Sequence, residues 1–260
     1  MTTLQTPAEG SGPRMVGAPP FPHPLVIRPH DERVRIYVWQ VPVRVTHWVT
    51  FFSILLLVVT GAYIGDPYLL PPDGSIMRAI RFIHMVSAFT FLASGLLRLY
   101  WLFVGNRFSR WTAFVPVTAS QRRELIKQIG WYLFVRKEAP RVLGHNALAA
   151  GTYTAIFVLF LVQTVTGFAL AGMHGTEPWA TLFGWVPSLM GGVSGMRLIH
   201  HLVMWVILAF MIHHVYSALL VDHWERNGLM SSIFSGYKFV TRGEIEEARD
   251  GGMEIEELAE

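Results

Sequence analysis

The sequence predicts an all-α integral membrane protein, a four-transmembrane-helix bundle with both termini cytoplasmic. Three observations predict it. Four apolar stretches are each long enough to cross about 30 Å of hydrocarbon. Only 15% of the 260 residues are charged while 52% are hydrophobic, against a soluble norm of about 25% charged. Lys and Arg are also unevenly shared between the connecting loops. A soluble four-helix protein would need polar outer faces, and VTFFSILLLVVTGAYI offers none.

Taken in order, residues 1–33 form an N-terminal segment expected to be disordered, because Pro7, Pro13, Pro19, Pro20, Pro22, Pro24 and Pro29 interrupt regular structure. No secretory signal is expected, since the first apolar run starts near residue 46 behind this polar stretch. Residues 34–240 form the membrane domain, with spans at about 46–64, 79–104, 147–172 and 196–221. The first span is near the lower limit of length. The loop 65–78 offers only Arg78, and the loop 173–195 has no Lys or Arg. The loop 105–146 carries Arg107, Arg110, Arg122, Arg123, Lys127, Arg136, Lys137 and Arg141, which the positive-inside rule assigns to the cytoplasm. Within it, QRRELIKQIGWYLFVRK reads as a helix lying on the inner surface, its cations near anionic headgroups. Trp179 and Trp185 in the outer loop suit an interfacial position. Residues 241–260 form an acidic tail (Glu244, Glu246, Glu247, Asp250, Glu254, Glu256, Glu257, Glu260), read as a solvated terminus without assigned function.

Chemistry enters through histidine. His200 and His214 share the fourth span, and fourteen residues advance a helix by about 21 Å and return it to within about 40° of the same face. Their neighbours His201 and His213 do not offer such a pair: 200 with 213, 201 with 213 and 201 with 214 all leave the rings about 120° or more apart. His47 opens the first span at the cytoplasmic side and His84 lies near the outer start of the second. Height then pairs His84 with His200 on the outside and His47 with His214 on the inside. Buried imidazoles are costly in a bilayer unless they have a function. Four of them in two matched layers point to axial ligation of two noncovalent b-type haems (His84/His200 outer, His47/His214 inner). Six-coordinate iron moves electrons without bond chemistry. The chain contains no cysteine, which excludes disulfides, iron–sulfur clusters, thiolate zinc sites and covalently attached haem.

Two further patterns accompany the histidines. Gly61 lies fourteen residues after His47, and Gly95 lies eleven after His84, turned by about 20°. Each glycine thus sits at the level of the other haem, where a flat macrocycle requires close backbone approach, although glycine also serves ordinary membrane helix contacts. Arg44, Arg81 and Arg197 each precede a ligand by three residues, and Arg98 follows His84 by fourteen. They are candidate partners for the haem propionates, the competing explanation being cations that snorkel from helix ends. His23 and His30 fall in the N-terminal segment, and His145, His174 and His223 at loops or helix ends, where no ligand role is expected.

The segments VPVRVTHW, RFIHMVSA, RLYWLFVGNRFSR, GWYLFVRK, GHNALA, HHLVMW, HHVYSAL and SGYKF resemble those of the cytochrome b subunit of membrane-bound nickel–iron uptake hydrogenases. The resemblance covers roughly residues 34–240 and departs from the family's usual pattern at MRLIHH and LLVDHWERNG. It implies a four-helix bundle with two b haems, and His47, His84, His200 and His214 fall on the family's ligand positions. It further implies hydrogenase small and large subunits on the periplasmic face and membrane quinone as electron acceptor. The location implied is the bacterial inner membrane, with the lipid bilayer as surroundings and no nucleic-acid partner. Two competing readings are the membrane cytochrome b of a formate dehydrogenase or a free-standing cytochrome b-561 type oxidoreductase, and a haem-free anchor or proton pathway. Tyr37, Trp48, His213 and Tyr216 are candidates near a quinone, or plain interface anchors.

Overall fold

The computed structural model describes residues 33–68, 74–115, 147–175 and 177–241, with isolated positions at 122–123, 126–127, 129–130, 135 and 243. The expected N-terminal disorder, most of the surface helix in 121–137 and the acidic tail beyond 243 lie outside the described residues.

Strand β1 (Arg33–Tyr37) leads into helix α1 (Val41–Gly65). Helix α2 (Ser75–Val104) returns alongside it, followed by a short 3-10 turn at Trp111–Ala113. Helix α3 (Ala147–Gly172) crosses again, and two short helices, α4 (Trp179–Phe183) and α5 (Val186–Leu189), fold over its far end. Helix α6 (Gly192–Glu225) makes the last crossing, then α7 (Leu229–Ser235) and strand β2 (Tyr237–Thr241) close the described chain. The four long helices are apolar and long enough to span a bilayer. They outrun the apolar windows in the sequence at several ends. α1 starts at Val41, since Pro42 is tolerated in a first turn that needs no N–H partner there. α6 continues to Glu225 and stops where Arg226 turns left-handed, at φ 48°.

The helices pair as α1 with α2 and α3 with α6. The α1–α2 seam is built from small hydroxyl residues, as expected where lipid removes any hydrophobic drive between helices. Thr50 Oγ1 lies 2.9 Å from Ser94 Oγ, and Ser94 donates to the Thr46 carbonyl at 3.0 Å. Thr46, Ser53, Thr60, Ser87 and Ser94 are all buried. The second pair is closed at its far end by a cluster of Ala169, Val186 and Met196 with Phe183 and Met190 against it. Trp179 folds inward there, 4.4 Å from the Phe168 ring, whereas Trp185 stays largely exposed.

The sheet was not expected. β1 and β2 pair antiparallel from Arg33↔Thr241 to Tyr37↔Tyr237, which brings the two ends of the described chain to one end of the bundle, here called the sheet end. Its apolar side buries Ile36, Val38 and Val240, and Arg35 lies over the Tyr237 ring. Gln40 ties this cap to α2. Its Oε1 accepts from Trp101 Nε1 at 2.8 Å and from the Asn106 N–H at 2.9 Å, while Asn106 Nδ2 donates to the Val38 carbonyl at 2.9 Å. Gly105 is required at that junction, because a Cβ would stand 2.6 Å from the Trp101 carbonyl oxygen.

Candidate functional site

Each of the four long helices enters or leaves at the sheet end, so depth along the bundle follows from chain direction. α1 and α3 run away from the sheet end, α2 and α6 run toward it. His47 is near the start of α1 and His214 is near the end of α6, and their ring centroids are 6.3 Å apart. An imidazole nitrogen sits about 2.0–2.1 Å from a bound metal ion, so two rings gripping one ion from opposite sides hold their centroids roughly 6 Å apart. The His47–His214 spacing therefore fits a single iron between them.

His84 and His200 both lie toward the far end. His200 interacts electrostatically with both His84 and its own neighbour His201. A Cβ on Gly61 would lie 3.4 Å from His84 Cε1 and 3.8 Å from Met204 Sδ, so α1, α2 and α6 converge beside His84. A Cβ on Gly167 would lie 3.2 Å from His200 Cε1. Gly95 faces open space, with nothing within 4 Å of an added Cβ.

Hydrogen bonds from neighbouring helices fix how the far-end rings point. Thr60 Oγ1 donates its only proton to the Leu56 carbonyl at 2.5 Å, with Leu57 as a longer second acceptor. Toward His84 Nδ1, 2.8 Å away, the same oxygen can only accept. His84 Nδ1 therefore carries the proton, and its Nε2 lone pair is free for a metal. The arrangement repeats on the other side. Thr166 donates to the Val162 carbonyl at 2.8 Å and lies 2.8 Å from His200 Nδ1. The freed Nε2 of His200 meets the Gln163 amide nitrogen at 3.2 Å, and Gln163 Oε1 is buried with no partner. At the sheet end the shell is weaker. His214 Nδ1 has Tyr153 OH at 3.4 Å, and His47 Nδ1 is buried without a hydrogen bond.

The remaining candidates divide by position. Arg44 donates to the Phe234 carbonyl while its Nε is buried without a partner. Arg98 donates to the Ser109 carbonyl at 3.2 Å and sits 5.3 Å from the Phe114 ring. Arg81 and Arg197 are exposed near the far end. Trp48 lies beside His47 and against Phe234, with its Nε1 buried and unpartnered. Tyr37 packs at a tilt against Tyr237 within the sheet cap, and His213 and Tyr216 are exposed. His201 donates from Nδ1 to the Arg197 carbonyl at 2.9 Å, and its Nε2 lies 2.8 Å from where a Cβ of Gly65 would be, which separates it from the ligand geometry of His200.

Thr60, Thr166, Gln163, Gly167 and Tyr153 carry no ligand chemistry that marks them in the sequence. The signal for the first two was present: Thr-Gly recurs as LVVTGAY in α1 and TVTGFAL in α3. Among the described residues no group of three or more His, Cys, Asp or Glu side chains could hold a metal ion. Each histidine pair offers two imidazoles, the number a haem iron takes from protein. Bis-histidine sites of this kind with no protein group left to bind substrate fit a b-type haem.

Comparison with known proteins agrees with that chemistry. Residues 38–236 match the family described as prokaryotic cytochrome b561. The chain is 38% identical over 213 residues to a protein of Rhizobium leguminosarum bv. viciae named "Probable Ni/Fe-hydrogenase B-type cytochrome subunit", covering 79% of this chain and 89% of the relative. A protein of the same name from Azotobacter vinelandii is 39% identical over 220 residues, covering 80% and 92%. The "Probable Ni/Fe-hydrogenase 1 B-type cytochrome subunit" of Escherichia coli K12 is 35% identical over 226 residues, covering 83% and 95%.

Proposed function

The chain belongs to the prokaryotic cytochrome b561 family, a multi-pass membrane cytochrome, and on that premise we propose that it carries electrons from a periplasmic Ni/Fe hydrogenase through two b-type haems to the quinone pool of a bacterial inner membrane. The observation that carries this reading is the pairing of histidines at two depths, His47 with His214 at 6.3 Å near the sheet end and His84 beside His200 near the far end. The hydrogenase partner is supported by the names of the relatives. The orientation is supported by the basic loop 105–146, which leaves α2 at the sheet end and favours the cytoplasm.

Haem bound at each histidine pair would supply a one-electron iron couple. The chain's own residues do the rest. His84 and His200 would hold the outer iron, and His47 and His214 the inner one. Gly61 lets the His84 imidazole lie close to α1, and Gly95 would leave room for the macrocycle. The unpartnered Nε of Arg44 offers a donor to a propionate at the sheet end, with Arg98 on the same side and Arg81 and Arg197 serving the far end. Quinone is reduced near the inner haem, with Trp48, His213 and Tyr216 closest to that level and Tyr37 in the adjoining sheet cap.

The purified full chain is expected to show two low-spin b haems in a dithionite-reduced minus oxidised spectrum. Hydrogen is expected to reduce both when the partner hydrogenase is present. A protein that stays colourless after haem supplementation would overturn the reading, and one that takes up haem but is not reduced by hydrogen through that partner would overturn the partner assignment. The cradle gives a second test. Gly61→Leu places a branched side chain against His84 and Met204, and overpacking of about 1–3 kcal/mol corresponds to roughly 5- to 150-fold weaker haem binding. Haem titration of the apoprotein should show the loss at one site only. Equal weakening of both sites would mean Gly61 serves general helix packing.

A further inference from the structure

Building on the two-haem reading, we infer that the Thr60-Gly61 and Thr166-Gly167 dipeptides are a matched pair of positioning devices that set the outer haem at a lower potential than the inner one. The two dipeptides lie on different helices, α1 and α3, and treat their histidines alike. Each threonine hydroxyl lies 2.8 Å from an imidazole Nδ1, on His84 and His200 respectively. Each spends its own proton on a carbonyl of its helix, at Leu56 and Val162. Each glycine lies beside the same imidazole's Cε1, at 3.4 and 3.2 Å from a built Cβ. The glycine admits the ring and the threonine fixes its rotation and tautomer.

The consequence is electronic. An axial imidazole that donates from Nδ1 becomes a more basic ligand, and a more basic ligand favours ferric iron. Both outer ligands have this donation at full strength. At the sheet end His47 Nδ1 has no partner and His214 has Tyr153 only at 3.4 Å. The asymmetry makes transfer from the outer to the inner haem downhill, the direction that electrons from a hydrogenase on the far side require.

The test is a potentiometric titration of the haem-loaded full chain, wild type against Thr60→Val, Thr166→Val and the corresponding serine variants, with low-temperature EPR of the same samples. The wild type is expected to titrate in two waves. Each valine variant should raise the lower wave by about tenfold in its reduction equilibrium, or about 59 mV for one electron, and alter one of two low-spin EPR signals. The serine variants keep a hydroxyl and should restore both readouts. A valine variant that loses one haem while its serine counterpart keeps it supports the same conclusion only where the wave that disappears is the lower one. Unchanged potentials, a shift of the higher wave, or equal losses in the valine and serine variants would overturn the inference. A wild type that binds no haem would instead overturn the function it rests on.

Discussion

Replacing His200 by alanine is expected to reduce the haem content of the purified chain from two to about one, with the surviving haem still low-spin. The outer iron would keep His84 as its only protein ligand, because α6 offers no replacement on that face. His201 is the adjacent residue, but its Nδ1 is committed to the Arg197 carbonyl and its ring packs over Gly65. The matched His201→Ala variant should therefore retain both haems. Pyridine haemochrome quantitation with EPR separates the outcomes. Loss of haem in the His201 variant and retention in the His200 variant would shift the ligand by one residue and sink the pairing of 200 with 214.

The second large effect is expected at the other depth. His47→Ala should leave the outer haem reducible by hydrogen in the presence of the partner enzyme, yet lower quinone reduction by more than the roughly 10–100-fold that losing a hydrogen-bond partner of a ligand costs. The reason is positional. His47 and His214 are the only two histidines whose rings face each other near the sheet end among the described residues. Removing one leaves the inner iron with a single ligand and breaks the path toward that membrane surface. Stopped-flow reduction of the haems, set beside steady-state quinone reduction, distinguishes entry from exit. Normal quinone reduction in the variant would place the inner haem off the path.

Much of this was legible before any coordinates. Fourteen-residue spacing between His200 and His214 is a statement about helix pitch, and it survives any packing that keeps the span helical. The spans themselves follow from runs of apolar residues that water cannot solvate, and the structure changes only their ends. The antiparallel strands were not legible. Residues 33–37 alternate in the β manner, but five residues form a strand only when a partner is supplied, and that partner lies about two hundred residues away at Tyr237–Thr241. Gln40 carried no signal either, because its value lies in reaching Trp101 and Asn106 across a helix crossing.

The same division runs through the site. The candidate ligand histidines and Gly61 declare themselves by chemistry and period, since imidazole within a hydrophobic span is costly wherever the helices end up. The threonines do not. Thr60 and Thr166 look like ordinary membrane-helix hydroxyls that bond back to their own carbonyls, and they acquire a second role only because α1 packs against α2 and α3 against α6. The sequence by itself determined a four-span membrane bundle and four imidazoles at two depths, because helix period and solvation are local. Which oxygen meets which Nδ1, and hence how the two pairs differ electronically, was decided only by the tertiary structure, because hydrogen bonds between helices depend on their rotation and height relative to one another.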